Sequence, residues 1–219
     1  MKTNKKIILA SNSPRRRELL GGLDIDFEVR VKDGICEDYP QHLPMEETIP
    51  GFEVGVKDGI CEDYPQHLPM EEIPQYISRE KSEAYDLAPD ELLITADTIV
   101  WTDGRVLGKP VSKAEAEDML RLLSGKTHQV VTGVTLATTE WTTSFSAVTD
   151  VTFATLSSEE IRYYVERYAP MDKAGAYGVQ EWIGYVGVTR LAGSYYNVMG
   201  LPVQRLYAEL KKRNIIYTS

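Results

Sequence analysis

The chain has 219 residues, of which 42% are hydrophobic and 26% are charged, the profile of an ordinary globular protein. Its 24 Lys and Arg residues against 33 Asp and Glu residues give a net charge of −9, which disfavours general nucleic-acid binding. The apolar run at residues 7–10 is too short for a signal-peptide core, and no run approaches the roughly 18 apolar residues of a membrane helix. We therefore expect a cytoplasmic protein that binds neither nucleic acid nor membrane.

The first stretch with a distinctive pattern lies near the N-terminus. Residues 6–9 predict a short buried strand, followed by a Ser-rich turn and a helix that Ser13 caps and Pro14 opens. Residues 15–17 are all arginine, although the partial positive charge of a helix start normally favours acids. Hydroxyls, free N–H groups and guanidinium groups at one helix start suit a phosphate. A solvated basic patch on an amphipathic helix is the alternative.

An internal repeat follows this helix. Residues 27–47 and 52–72 are near-identical and differ only at Arg30 against Gly55, which suggests a tandem duplication rather than a solenoid. We predict a single domain over 1–219, in which one copy continues a strand from residue 27. The other copy is expected to form an inserted Pro-rich loop.

The repeat contains both cysteines and two of the three histidines. Cys36, His42, Cys61 and His67 could in principle form a zinc site, but the spacing within each copy is not that of a zinc finger. Duplication alone explains the doubled pair, so we expect neither zinc nor a disulfide.

The strongest single candidate lies in a predicted buried strand at residues 92–101. Asp97 stands in the middle of that apolar strand, where a carboxylate is unfavourable unless it is paired or bound to a metal. Asp97 is therefore predicted to be a metal ligand or a general base. A helix over 73–87 precedes the strand, and its Lys81 points either to the phosphate site or, as the pattern alone favours, to solvent.

The Asp103-Gly104 pair predicts a hairpin after this strand. The returning segment brings Lys109 near Asp97, either as a phosphate contact or as an ordinary surface residue. Residues 124–127 are not a P-loop, because Leu120 occupies the position of its first glycine and a helix precedes it.

The C-terminal half alternates predicted helices and strands. A glycine-rich segment over 172–180 contains Gln180, whose amide could hydrogen-bond a base or a carbonyl. The other predicted elements are a capped helix over 112–123, strands over 129–138 and 147–154 joined by 140–145, a capped helix over 157–168, a strand over 185–191, a loop over 193–197 and a helix over 201–213.

Four motifs together resemble the Maf family of nucleoside triphosphate pyrophosphatases. They are ILASNSPRR at 8–16, REK at 79–81 with ITADTIV at 94–100, LGKP at 107–110, and DKAGAYGVQ at 172–180 with GSYYNVMGLP at 193–202. The resemblance implies an α/β fold, an elongated mixed β-sheet with flanking helices in two lobes around a central cleft. It also implies cleavage between the α- and β-phosphates with a divalent cation, Mg or Mn, and suggests a homodimer.

The resemblance also assigns residues, and the ADT and DKAGAYGVQ motifs are similar to those of the dTTP/UTP branch. Asp97 would be the proton acceptor and a metal ligand. Base preference would be set by Arg15, Thr98 and Gln180, and the triphosphate would be bound by Ser11, Ser13, Arg16, Lys81 and Lys109. The alternatives are a 7-methyl-GTP pyrophosphatase, against which Thr98 and Gln180 argue, and a non-catalytic nucleotide-binding regulator of septum formation.

Overall fold

The computed structural model describes residues 1–32, 64–65 and 67–217. Cys36, His42 and Cys61 lie outside the described residues, as does most of the second repeat copy. The strands are β1 (Lys2–Thr3), β2 (Lys6–Leu9), β3 (Phe27–Val29), β4 (Glu91–Thr102), β5 (Arg105–Leu107), β6 (Thr127–Ala137), β7 (Thr142–Phe153), β8 (Val188–Ala192) and β9 (Ile216–Tyr217). The helices are α1 (Pro14–Gly21), α2 (Ile73–Glu83), α3 (Lys113–Leu123), α4 (Ser158–Tyr168), α5 (Trp182–Gly187), α6 (Tyr195–Val198) and α7 (Val203–Lys212).

Seven strands form one mixed sheet in the order β3-β2-β4-β6-β7-β8, with β5 paired to β4. β2 is parallel to both β3 and β4, whereas the other pairs are antiparallel. The predicted α/β fold with a mixed sheet and flanking helices is confirmed. Among the described residues, no helix is both long enough and apolar enough to span a membrane.

The two faces of β4 are buried by different helices. Leu92, Ile94 and Ala96 pack with α1 and α7 in one hydrophobic cluster, and Val100 on the same face packs with α3 and α4 in a second cluster. The opposite face contacts α2, where Ile99 packs against Ile77. Because side chains alternate along a strand, Asp97 and Thr98 point to opposite faces of the sheet.

One edge of β4 is interrupted at this place. β2 pairs with β4 as far as Leu9 with Ile94, and β5 begins its pairing at Val100 with Leu107. Within the described part of the chain, residues 95–99 therefore have no strand neighbour on that edge. The gap explains how side chains from both faces of β4 reach a single cleft.

Several predicted boundaries were wrong, most of them in the region after β6. β7 begins at Thr142, so the predicted connection over 140–145 is mostly strand, because residues 142–145 pair with residues 134–137 at the end of β6. The strand expected over 185–191 is preceded by α5, and the expected loop at 193–197 contains the one-turn helix α6, which Ser194 caps. α2 also ends earlier than predicted, at Glu83.

The structure confirms several predicted helix caps and turns. Ser157 and Glu160 form the predicted capping box of α4. The box predicted for α3 is only half formed, because Ser112 accepts from the Glu115 N–H while the Glu115 carboxylate accepts from the Val111 N–H. Asp103 and Gly104 both adopt positive φ, as a two-residue hairpin turn requires.

Candidate active site

A cleft of about 230 Å³ opens at the gap in the edge of β4. Its walls come from the start of α1, the middle of β4, the end of β5, the segment 172–180 and the turn after α6. Eight of the nine predicted site residues line it: Ser13, Arg15, Arg16, Lys81, Asp97, Thr98, Lys109 and Gln180. The structure thus brings together residues that are up to 167 positions apart in the chain, from Ser13 to Gln180.

The start of α1 is built as the sequence predicts. The Ser13 side chain accepts a hydrogen bond from the Arg16 N–H at 3.4 Å, and Pro14 occupies the first turn. The first turn contains no acidic residue, so its partial positive charge and the arginines add together. Ser11 does not line this cleft, and its hydroxyl accepts from the Ser13 N–H at 3.2 Å.

Arg16 connects α1 to two other walls of the cleft. Its Nε donates to the Gly200 carbonyl at 2.8 Å, and its Nη2 donates to Thr98 Oγ1 at 3.1 Å. These contacts fix the guanidinium plane at the cleft. Arg16 is thereby positioned by the strand that also carries the candidate catalytic carboxylate.

Thr98 is held by a chain of hydroxyls. Thr132 donates to the Asn197 carbonyl at 3.1 Å, and its oxygen lies 2.9 Å from Thr98 Oγ1. Because the Thr132 hydrogen is used by Asn197, the hydrogen between the two threonines belongs to Thr98. Thr98 therefore donates to Thr132 and accepts from Arg16, which defines the orientation of its hydroxyl.

Asp97 is paired inside the protein with Lys81. The Lys81 Nζ lies 2.8 Å from Asp97 Oδ1, and the two residues are 7% and 4% exposed. Pairing is the condition under which a buried carboxylate is tolerated. The solvent-facing position that the pattern favoured for Lys81 is wrong, because α2 lies directly on the sheet at this point.

Gly133 permits this close approach. It lies directly opposite Asp97 in β6, and a Cβ built on it would lie 2.2 Å from the Pro74 carbonyl carbon. Only a residue without a side chain leaves room for α2 there. Gly133 was not identified from the sequence, although a glycine inside a strand of β-branched residues is a signal of close backbone approach.

Lys109 reaches the cleft from the end of β5. The Gly108 carbonyl accepts from the Gly175 N–H at 3.0 Å, which ties this end to the glycine-rich segment. Gly175 has φ +68, and a Cβ there would lie 2.9 Å from Val100 Cγ2. A glycine is therefore required at 175 both for its backbone conformation and for space.

Asp172 also lines the cleft and was not identified from the sequence as a site residue. Its carboxylate accepts from Arg15 Nη1 and from Lys173 Nζ, each at 2.7 Å. Partial burial opposes the charge of Asp172, but the hydrogen bonds from Lys173 and Arg15 outweigh it and lower the pKa of this carboxyl to about 2. Asp172 is thus ionised at neutral pH and orients Arg15 toward the cleft.

Gln180 presents an amide to the same space. Its Oε1 is buried and has no hydrogen-bond partner within the described ranges. A buried amide oxygen without a partner is unfavourable, and a bound molecule with an N–H group can satisfy it. Among the described residues, two further buried side-chain atoms have no hydrogen-bond partner, namely His128 Nδ1 and Asn197 Oδ1.

Comparison with known proteins found a matching family model, curated relatives and solved structures. The profile of the Maf family, described as "Maf-like protein", matches residues 6–213. The dTTP/UTP pyrophosphatase of Bacteroides thetaiotaomicron is 58% identical over 94% of this chain and 95% of its own length, and that of Phocaeicola vulgatus is also 58% identical with the same coverage. Among solved structures, the Ham1 protein of Staphylococcus aureus aligns with 95% of this chain and 100% of its own at 18% identity and a TM-score of 0.46.

Proposed function

The chain belongs to the Maf family, and from this premise we propose that it hydrolyses dTTP and UTP to the monophosphate and pyrophosphate. The observation that carries the proposal is the buried Asp97–Lys81 pair at the floor of a cleft that Arg15, Arg16 and Lys109 also line. The names of the Bacteroides and Phocaeicola relatives support this substrate class.

The cationic side chains would bind the triphosphate. Arg15 and Arg16 stand at the N-terminus of α1, while Lys81 and Lys109 come from the other walls. Charge on the bridging and terminal oxygens grows as the bond between the α- and β-phosphates breaks, and preorganised cations stabilise it. Their arrangement on several elements favours a bound chain of phosphates over a single phosphate.

Asp97 is proposed to act as the proton acceptor. A water molecule attacks the α-phosphorus, its proton passes to the Asp97 carboxylate, and pyrophosphate leaves. Lys81 holds that carboxylate at 2.8 Å and thereby fixes its direction. A rigid carboxylate beside a cationic cleft is the arrangement that this reaction requires.

The donor set also fits a divalent cation. Within the described residues, no group of three or more His, Cys, Asp or Glu side chains could hold a metal ion. Mg²⁺ commonly takes one or two carboxylates and completes its shell with water and substrate phosphates, so Asp97 suffices from the protein side. We propose that Asp97, together with the triphosphate, would hold Mg²⁺ or Mn²⁺, which would supply further charge neutralisation.

Base preference would be set in part by Gln180, which lines the same cleft as the cationic residues. The Gln180 amide has an unpartnered oxygen that could accept from N3–H of thymine or uracil. The 7-methyl-GTP alternative is disfavoured by the names of the relatives, and the regulatory alternative by the complete set of charged groups in the cleft.

A panel of nucleotides tests the proposal. Purified protein is incubated with dTTP, UTP, CTP, 7-methyl-GTP or ATP, with Mg²⁺, Mn²⁺ or a chelator, and pyrophosphate release is measured. We expect selective turnover of dTTP and UTP that depends on the cation and is lost in Asp97→Asn. Turnover of 7-methyl-GTP instead would show that the chain is a 7-methyl-GTP pyrophosphatase. A folded protein that releases no pyrophosphate from any nucleotide would refute the enzymatic proposal.

We also propose that the protein is cytoplasmic, forms a homodimer and does not bind nucleic acid. The net charge of −9 supports the last of these. Light scattering on the purified chain measures the oligomeric state directly.

A further inference from the structure

The residue that is proposed to read the base stands in a tight turn. Gly178 to Glu181 form this turn, closed by the Glu181 N–H donating to the Gly178 carbonyl at 3.0 Å. Gln180 is its third residue and lines the cleft. The direction of the Gln180 amide therefore depends on how firmly the turn is held.

One buried hydroxyl holds both ends of this turn. Tyr164 OH accepts from the Gly178 N–H at 3.0 Å and donates to Glu181 Oε2. The Tyr164 ring is fully buried in α4 and stacks on Tyr168 with centroids 5.1 Å apart. Burial, together with the adjacent Glu181 carboxylate, raises the pKa of Tyr164, so its hydroxyl remains a donor throughout the neutral range.

Glu181 also connects the turn to the charged wall of the cleft. Its Oε1 lies 3.2 Å from Lys173 Nζ, and Lys173 in turn contacts Asp172 at 2.7 Å. Space in the turn is restricted, because a Cβ built on Gly178 would lie 2.9 Å from Glu181 Cδ and 3.1 Å from Gln180 Nε2. The Gln180 amide is thus packed against the backbone that Tyr164 fixes.

A fixed amide matters for the choice of base. Thymine and uracil present an N–H donor and a carbonyl acceptor where cytosine presents a ring nitrogen acceptor and an amino donor. A Gln amide carries one acceptor and one donor group, so an amide that can rotate by 180° accommodates both patterns. Discrimination by Gln180 therefore requires that its orientation be imposed by its surroundings.

We propose that Tyr164 and Glu181 are positioning residues that give this enzyme its preference for uracil and thymine over cytosine. They act by clamping the turn that carries Gln180, and neither of them lines the cleft. The inference rests on the proposed function. It extends that function to two residues that touch neither base nor phosphate.

Tyr164→Phe removes one oxygen atom and tests the clamp. The readout is the ratio of kcat/KM for dTTP over dCTP, measured in one preparation so that any inactive fraction cancels. We expect the ratio to fall about tenfold, the effect of losing roughly one hydrogen bond of discrimination, while dTTP is still hydrolysed. Tyr163→Phe is the matched control, since Tyr163 is exposed on the same helix, and it should leave the ratio unchanged.

Two variants of Glu181 distinguish the effect of its hydrogen bond with Tyr164 from the effect of its negative charge. Glu181→Gln keeps an acceptor for Tyr164 but loses the charge that faces Lys173, and should retain the ratio within about threefold. Glu181→Ala should lower it as much as Tyr164→Phe does. If Tyr164→Phe or Glu181→Ala hydrolyses dTTP with the wild-type ratio, the proposal is overturned. Absence of turnover in the wild type would refute the proposed function itself, which keeps the two failures distinct.

Discussion

The duplicated segment allows a test in which two deletions differ by one side chain. Deleting residues 31–55 leaves Arg30 after β3, whereas deleting 30–54 leaves Gly55 there. The two shortened chains have the same length and are otherwise identical. Any difference between them therefore reports on the arginine alone.

The structure gives Arg30 a defined partner. Its guanidinium donates to both carboxylate oxygens of Glu91, at 3.0 and 2.5 Å, and Glu91 is 7% exposed at the start of β4. The hydrogen bond from Arg30, and then that from the Ala88 N–H, lower the pKa of Glu91 to about 2. A glycine would leave this carboxylate with the Ala88 N–H and with Lys6, whose Nζ lies 3.7 Å away.

The expected cost follows from these contacts. A hydrogen bond to a charged group contributes about 1.5–3 kcal/mol, and Lys6 offsets part of the loss, so we expect about 2 kcal/mol. For a chain of this size that corresponds to a Tm about 4–8 °C lower in the glycine form. Because the pKa of Glu91 is lowered in the folded state, the difference is fully present above its unfolded pKa of 4.5 and shrinks as the pH falls toward 2.

Thermal unfolding of both deletion variants, followed by circular dichroism at pH 7 and again near pH 4, measures this difference. Equal melting temperatures at pH 7, or a more stable glycine form, would refute the reasoning that the first repeat copy is anchored by Arg30.

Three further predictions concern the cleft and its support. In urea unfolding, Asp97→Asn and Lys81→Met should each lower the free energy of unfolding by about 3 kcal/mol. The double variant should lose less than the sum of the two single losses, because the two side chains form one pair. Burial lowers the pKa of His128 to about 4, so the unfolded chain takes up a proton between pH 7 and pH 5 while folded His128 stays neutral. The free energy of unfolding of the wild type should therefore fall by about 2 kcal/mol over this range, and that of His128→Gln should lack this fall. Thr132→Val should lower kcat/KM for dTTP about tenfold, because Thr98 loses its acceptor, while Thr132→Ser keeps it.

Each of these predictions has a contrary result. Additive losses in the Asp97 and Lys81 cycle would mean that the pair is not coupled. Parallel pH profiles of wild type and His128→Gln would show that His128 titrates alike in the folded and unfolded chain. An unchanged kcat/KM in Thr132→Val would remove the hydroxyl chain from the account of how Arg16 is oriented.

Local sequence signals predicted those parts of the fold that local physics determines. The cap at Ser13, the capping box at Ser157 and the hairpin at Asp103 each depend on residues within four positions of one another. The short helix α5 escaped prediction because it has no side-chain cap and lies beside a β-rich stretch. Its formation depends on packing, since Ile183 is buried in the cluster with α3 and α4.

In the candidate site, too, some residues could be predicted from local sequence and others could not. Asp97 could be singled out because a carboxylate in an apolar strand is unfavourable without a partner. The identity of that partner could not be read locally, because Lys81 reaches Asp97 only when Gly133 lets α2 lie on the sheet. Asp172 was missed for a similar reason, since its role depends on Arg15 arriving from the other end of the chain.

We propose that water attacks the α-phosphorus of dTTP in this cleft. Hydrolysis in ¹⁸O-enriched water with Mg²⁺, followed by mass spectrometry of both products, tests it most directly. We expect dTMP that carries one ¹⁸O atom together with unlabelled pyrophosphate, and no labelled product in Asp97→Asn. Formation of dTDP and inorganic phosphate, or label in the pyrophosphate, would contradict it.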